Sequence, residues 1–251
     1  MEIQEALLIL AAGLFAGFVN TIAGGGSLIT LPLLIFLGLP SNIANGTNRL
    51  SILFGTLGAI GGYKSKGVFV FPYGLWLGIS STIGAIIGAK ISIDIKGDTF
   101  NRILAVIMIL VVLNIVFNPF KKLTPSSENL TRRNQWIGII AFLFVGFYGG
   151  FVQAGVGFII IAVLSAVNGM DLVKINSIKA LVVFIYTIAA FAVFVIDDKV
   201  NWVMGLALSV GNVAGAWICS RWSVGKGSRL IKPILLIMVI AMAIKLWFYD
   251  T

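Results

Sequence analysis

The second half of this chain repeats the first. Shifting the sequence against itself by 131 positions places Gly24 and Gly26 on Gly155 and Gly157, Gly38 on Gly169, Asn45 on Asn176 and Leu50 on Leu181. Further along, Gly84-Ala85 falls on Gly215-Ala216 and the basic Lys90 on Arg221, and no gap is needed. The fold must therefore be assembled from two similar units. Both units are apolar. Mean hydropathy is +1.06, and 59% of residues are hydrophobic. Only 11% are charged, against about 25% in a soluble domain. Val68–Ala89, Ile103–Phe117, Ala180–Ile196, Trp202–Cys219 and Pro233–Phe248 reach or approach the roughly 20 residues that cross a bilayer as a helix. In a polytopic membrane protein, such duplication points to a transporter with its binding site between the halves.

Each unit opens with a long apolar stretch, Ile3–Leu37 in the first and Asn134–Val167 in the second. One straight helix of that length would measure about 50 Å, longer than a hydrocarbon core of about 30 Å. Glycine interrupts both stretches, at Asn20-Thr21-Ile22-Ala23-Gly24-Gly25-Gly26-Ser27 and at Gln153-Ala154-Gly155-Val156-Gly157. Glycine tolerates positive φ and permits a reversal. Each stretch therefore reads as a helical hairpin. The arm after each break, Leu28–Leu37 or Phe158–Val167, is short for a full crossing, so a re-entrant hairpin fits. Three more helices follow in each unit. The expected fold is an all-α integral membrane protein of two inverted helical repeats, each a glycine-broken hairpin plus three transmembrane helices. Residues 1–117 form the first repeat, 118–133 a basic cytoplasmic linker and 134–251 the second repeat.

Charge placement sets the expected topology. The net charge of +9 sits mostly in short connections between apolar runs, which is a membrane pattern rather than a nucleic-acid footprint. Lys121, Lys122, Arg132 and Arg133 mark the linker as cytoplasmic. Arg221, Lys226, Arg229 and Lys232 mark a second cytoplasmic loop, and Lys64 and Lys66 a third. The acidic N-terminus (Glu2, Glu5) and the Asp197-Asp198-Lys199 turn are then outside, as is the C-terminus. Two parallel repeats would put either the linker or the Arg221–Lys232 loop on the wrong side, so inverted repeats satisfy the positive-inside rule better. The acidic start also differs from the basic segment that opens a signal peptide. A single cysteine, Cys219, excludes an intramolecular disulfide framework and a multi-cysteine metal site. The absence of histidine excludes histidine-based metal sites and proton relays.

The breaks carry the candidate chemistry. A helix that restarts inside the membrane presents free N–H groups and the positive end of its dipole, which together form an anion site. Neutral polar residues cluster there: Asn20, Thr21 and Ser27 around Gly24, Gly25 and Gly26, and Gln153 beside Gly155 and Gly157. Three consecutive glycines exceed what close packing needs, unlike the Gly58/Gly62 and Gly84/Gly88 pairs, which read as packing motifs. A second constellation is Asn45-Gly46-Thr47-Asn48-Arg49 with its mate Asn176-Ser177-Ile178-Lys179. Each begins a membrane helix and places a cation inside it. Arg49 and Lys179 sit one register step apart and suit anion attraction, although snorkelling explains such side chains as well. Asn114, Thr187 and Asn212 are accounted for by interhelical hydrogen bonds. Lys90 and Arg221 read as topology anchors, and Trp76, Trp202, Trp217, Trp222 and Trp247 as an aromatic belt.

The segment Gly17–Ser27 (Gly-Phe-Val-Asn-Thr-Ile-Ala-Gly-Gly-Gly-Ser), with Pro32, Gly38 and Ala44–Arg49, resembles the TauE/SafE family of bacterial membrane permeases. The resemblance extends over the whole chain. Its second-half counterpart is Gly150–Gly157 with Asn176–Lys179, and it departs at Ile178, where a threonine is expected. The resemblance implies a multi-pass protein of the bacterial inner membrane that exports a sulfur-containing anion such as sulfite or an organosulfonate. The expected substrate-binding residues are Asn20, Thr21, Gly24, Gly25, Gly26, Ser27, Asn45, Thr47, Asn48, Arg49, Gln153, Gly155, Gly157, Asn176 and Lys179, and alternating access is the expected mechanism. No cofactor or metal is expected. The expected partners are the anion and the lipid bilayer, without nucleic acid, and a homo-oligomer is compatible with the sequence. A passive anion channel and a transporter of another small organic anion are the alternatives. A membrane enzyme would need a nucleophile, a metal cluster or an acid–base pair, and the sequence offers none of these.

Overall fold

The computed structural model describes residues 3–68, 71–117, 128–224 and 231–247, with side chains from 236 in the last segment. Lys121, Lys122 and most of the 118–133 linker, together with Lys226 and Arg229, lie outside the described residues, as does the side chain of Lys232. The described residues form α-helices joined by short turns: α1 (Ile3–Ile22), α2 (Ser27–Phe36), α3 (Ser41–Lys64), α4 (Phe71–Asp94), α5 (Gly97–Phe117), α6 (Arg132–Phe151), α7 (Val156–Asn168), α8 (Leu172–Ile196), α9 (Trp202–Ser223) and α10 (Ile231–Trp247). The protein is an all-helical, multi-pass membrane protein. Among the described residues, six helices (α1, α4, α5, α6, α8 and α9) are long and apolar enough to cross a bilayer. Their outward faces carry bare apolar side chains, such as Trp76, Ile83 and Ile87 on α4 and Leu110, Val116 and Phe117 on α5. In water such continuous apolar faces would be a liability. In lipid they match the solvent.

The arms after the glycine breaks are short. The 10 residues of α2 and the 13 of α7 would span only about 15 and 20 Å at 1.5 Å per residue. Neither crosses a 30 Å core, as the sequence leads one to expect. Helix α3 is different. It has the length of a span, 24 residues, but its first half contains Asn45, Thr47, Asn48, Arg49 and Ser51, all buried. Such a helix is unsuited to contact with lipid. Its buried face packs against α8 and α9, while Phe54 and Leu57 in the second half are exposed.

Glycine lets the helices approach to backbone contact. A Cβ on Gly13 would overlap the Leu208 carbonyl, and one on Gly17 would overlap Asn212. From the other side, Gly211 and Gly215 press on the carbonyls of Leu10 and Leu14. This seals α1 to α9 through small residues four apart, the usual solution where no hydrophobic effect drives helix association. The pair α4/α6 uses the same device: Gly84 and Gly88 lie on the carbonyls of Leu143 and Phe147, and Gly146 and Gly150 on those of Ser81 and Ala85.

The same contacts give directions. Advancing from Gly211 to Gly215 moves the contact on α1 from Leu10 to Leu14 and Phe18, so α1 and α9 run parallel. Gly46, Gly55 and Gly62 meet Lys199, Asn212 and Ser220 in turn, so α3 is parallel to α9. By the same reasoning α4 is parallel to α6 and to α8. Helices α3 and α8 are antiparallel: Arg49 lies on the Phe194 ring, while Ala59 and Tyr63 pack near Ala180. Helix α2 returns alongside α3, with Thr30 opposite Asn48.

The close contacts predict a severe response to bulk. Gly215→Leu and Gly84→Leu should each reduce the yield of monodisperse protein in size-exclusion chromatography, because overpacking costs about 1–3 kcal/mol even where a core can adjust and backbone carbonyls cannot. The lipid-facing Ile83→Leu should leave the profile unchanged.

Candidate substrate site

The site is built from two interrupted helices. Helix α1 stops at Ile22, and Gly24 takes φ +80°. The chain restarts at Ser27, with the N–H groups of Leu28 and Ile29 donating to the carbonyls of Gly25 and Gly26. Helix α6 stops at Phe151, Gln153 and Gly155 take φ values of 68° and 75°, and α7 starts at Val156. A left-handed non-glycine residue is uncommon, so Gln153 is held there by its surroundings. The register seen in the sequence reappears in the backbone: Gly24 and Gly155 are both left-handed, and so are Gly38 and Gly169. The two breaks also touch. A Cβ on Gly24 would collide with the backbone of Gly157, and one on Gly157 with that of Gly24.

Each break is held by a cation from the other repeat. Lys179 on α8 donates from Nζ to the Thr21 carbonyl at 2.9 Å and to Asn176 Oδ1 at 2.7 Å. Asn176 Nδ2 donates to the Ile22 carbonyl at 3.3 Å. The last turn of α1 is thereby capped by a lysine and an asparagine three residues apart. Across the molecule, Arg49 on α3 donates to the carbonyls of Gly149 (3.0 Å) and Gly150, and at 3.4 Å to Gln153 Oε1 and Asn45 Oδ1. Asn45 Nδ2 donates to the Phe151 carbonyl at 2.9 Å and to Ser92 Oγ at 2.7 Å. Both cations are buried. The ion pair Lys174–Glu128 is exposed and involves neither of them. The carbonyls at the ends of α1 and α6 take the place of carboxylates, with the negative ends of the helix dipoles behind them.

A narrow cavity of mixed lining lies beside Lys179, with Ala59, Ala180, Val183 and Ala216 on its apolar side. Its wall includes Asn20 and Thr21 from the end of α1, Val156 and Gly157 from the start of α7, and Asn176 and Lys179 from α8. Gly55 and Thr56 of α3 and Asn212 of α9 complete its polar side. An ammonium has three donors, and two are engaged with Thr21 and Asn176, which leaves one for a ligand. Gly157 lies in the first turn of α7, where N–H groups lack intrahelical acceptors. The wall holds one cation, three carboxamides and a helix start, and no carboxylate; the hydroxyls of Thr21 and Thr56 already donate to the carbonyls of Gly17 and Leu53. That donor set fits a small anion.

Of the residues expected at the site, Asn20, Thr21, Gly157, Asn176 and Lys179 are brought together here. Gly24 supports the wall by packing on Gly157, and Gly26 sits on the Ala16 carbonyl and Asn20 Cβ. Gly25, Ser27 and Gly155 are buried around the breaks. Thr47 accepts from the Asn201 N–H at 2.8 Å, and Asn48 accepts from Thr30 Oγ1 at 2.6 Å. Asn45, Arg49 and Gln153 form the capping group at α6, apart from this wall. Of the other wall residues, Thr56 and Asn212 are the polar ones, and neither is singled out as a ligand from the sequence. Asn212 does make the interhelical bond expected of it, to Ser51 Oγ at 2.8 Å, while also facing the cavity. The available signal was Gly17 and Gly55, which leave room for Asn212 from both sides.

The family model for sulfite exporter TauE/SafE matches residues 9–246. The chain belongs to the TauE/SafE family. Among curated relatives of this TauE/SafE protein is the probable membrane transporter protein ORF9 of Sinorhizobium sp., 31% identical, with 94% of this chain and 89% of the relative aligned. A probable membrane transporter protein of Haemophilus influenzae is 28% identical over 96% of both chains. The probable membrane transporter protein YfcA of Escherichia coli K12 is 29% identical, over 95% of this chain and 87% of its own. No solved structure matches the chain significantly. The protein is a membrane transporter of this family.

The contact between the breaks can be separated from backbone strain. Gly38 has positive φ with open space around its missing Cβ, whereas Gly24 has positive φ and meets Gly157. Gly38→Ala should cost about 1–2 kcal/mol from the left-handed conformation alone. Gly24→Ala adds a backbone collision and should lower the thermal unfolding midpoint in detergent distinctly further. Equal midpoints for the two variants would show that the breaks do not meet.

Proposed function

We propose that this protein exports a small sulfur-containing oxyanion, of the sulfite or organosulfonate class, across the bacterial inner membrane by alternating access. The observation that carries the reading is the Lys179 cavity. It is lined by one cation, neutral donors and the start of α7, and sits where the two helix breaks meet. A single cation among neutral groups favours an oxyanion without trapping it. A carboxylate in the wall would oppose the anion, and none is present. The family description, sulfite exporter, supports the substrate class, and the bacterial relatives support the membrane.

Helix directions support an inverted duplication. The register pairs α1 with α6, α3 with α8, and α4 with α9. Helices α1, α3 and α9 point one way, and α4, α6 and α8 the other. Repeats of opposite topology supply two related conformations, open to opposite sides. With the basic linker inside, both termini are outside. A monovalent anion leaving a negative cytoplasm gains about 2.3 kcal/mol per 100 mV, so export needs no proton carrier.

Sulfite flux in proteoliposomes under an imposed voltage tests the reading. Lys179→Gln should reduce flux at least tenfold, while Lys90→Ala, at an exposed helix end, should not. Flux insensitive to Lys179→Gln would sink the site. An absence of flux for both sulfite and a small alkanesulfonate would sink the substrate class.

A further inference from the structure

The cavity has a counterpart in the other repeat. The 131-residue register carries three of its wall residues, Lys179, Ala180 and Thr56, onto Asn48, Arg49 and Thr187. Each of those three has a buried polar atom without a hydrogen-bond partner among the described residues: Asn48 Nδ2, Arg49 Nε and Thr187 Oγ1. All three side chains are 0% exposed. A buried donor left unsatisfied costs about 1–3 kcal/mol, and native proteins hold only a few such groups per 100 residues. Finding three on the register equivalents of one cavity wall calls for a common cause.

The remaining atoms of these residues are engaged. Asn48 Oδ1 accepts from Thr30, and the two terminal nitrogens of Arg49 hold α6. An amide N–H, a guanidinium N–H and a hydroxyl are what remains. This set consists of donors, one of them charged, as at the Lys179 cavity. The neighbouring wall is bulkier: Tyr186 stands where the register has Gly55, and Phe151 where it has Asn20. The Tyr186 ring lies against Gly149, whose carbonyl accepts from Arg49.

We infer that Asn48, Arg49 and Thr187 form a second oxyanion station, the pseudo-symmetric mate of the Lys179 cavity, occupied by the substrate on its way between the two sides. The inference rests on the proposed transport of a small oxyanion, and it divides the path into two stations on opposite faces of the Gly24–Gly157 contact.

Thr187 provides the test, because its hydroxyl supports no other group. If the hydroxyl is merely an unsatisfied polar atom, Thr187→Val should raise the unfolding midpoint and leave transport intact. If it binds the anion, Thr187→Val should keep or raise the midpoint and yet cut sulfite uptake into proteoliposomes about tenfold, with Thr187→Ser close to wild type. Lys179→Gln is run in parallel. Wild-type uptake by Thr187→Val alongside loss in Lys179→Gln overturns the second station and leaves the first. No uptake by the unmodified protein overturns both.

Discussion

Among the described residues, Arg49 and Lys179 lie buried with no carboxylate paired to them, and the rest of the site follows from how they are accommodated. Removing an ion from water costs several kcal/mol even after relaxation, and in hydrocarbon the alternatives are few. Here the compensation comes from backbone. Helix α1 ends on Lys179 and helix α6 ends on Arg49, each with carbonyls that no further turn of helix uses. Hydrogen bonds to charged groups are worth about 1.5–3 kcal/mol each, and the helix dipole adds to them. A continuous helix would consume those carbonyls internally. The glycine breaks thus have two consequences: the chain before each break neutralises a cation, and the chain after one of them starts a new helix at a cavity wall.

The pairing is crosswise, and this constrains assembly. Lys179 and Asn176 belong to the second unit but cap the first unit's broken helix. Arg49 and Asn45 belong to the first unit and cap the second's. Neither unit alone can satisfy its own cation. The glycine seams add to the same arrangement, since α1 is sealed to α9 and α4 to α6. Folding of one half is therefore linked to docking with the other, and the meeting point of the breaks is fixed by charge as well as by shape.

Much of this was legible in the chain. The helix breaks follow from apolar stretches too long for a bilayer, and both hairpins appear where the glycines stand. The register was legible too, since it recurs as left-handed glycines at matched positions. The destinations of Arg49 and Lys179 were not. Sequence shows that a cation sits inside a helix, but the partner is a carbonyl on a helix from the other half, and carbonyls carry no sequence signature. Both looked like sentinels of one pathway, yet only Lys179 reaches the cavity. Asn212 and Thr56 were missed for a related reason. A polar side chain can bridge two helices and face a cavity at once, and only the first role is visible in an apolar run.

The departures from symmetry carry their own argument. A perfect duplication would place identical walls on both sides of the Gly24–Gly157 contact. Instead Gly55 and Ala180 leave room beside Lys179, while their register mates, Tyr186 and Arg49, fill the corresponding space. The cation has also moved by one position, from 48 to 49 in the first unit's numbering. One residue along a helix turns the side chain by about 100° at 3.6 residues per turn, enough to aim Arg49 at α6 while Lys179 stays at a cavity wall. Two halves with one backbone plan thus present unequal walls. Small differences in side-chain volume and a single-residue shift of charge suffice to make the two sides distinct, and both are written into the repeat.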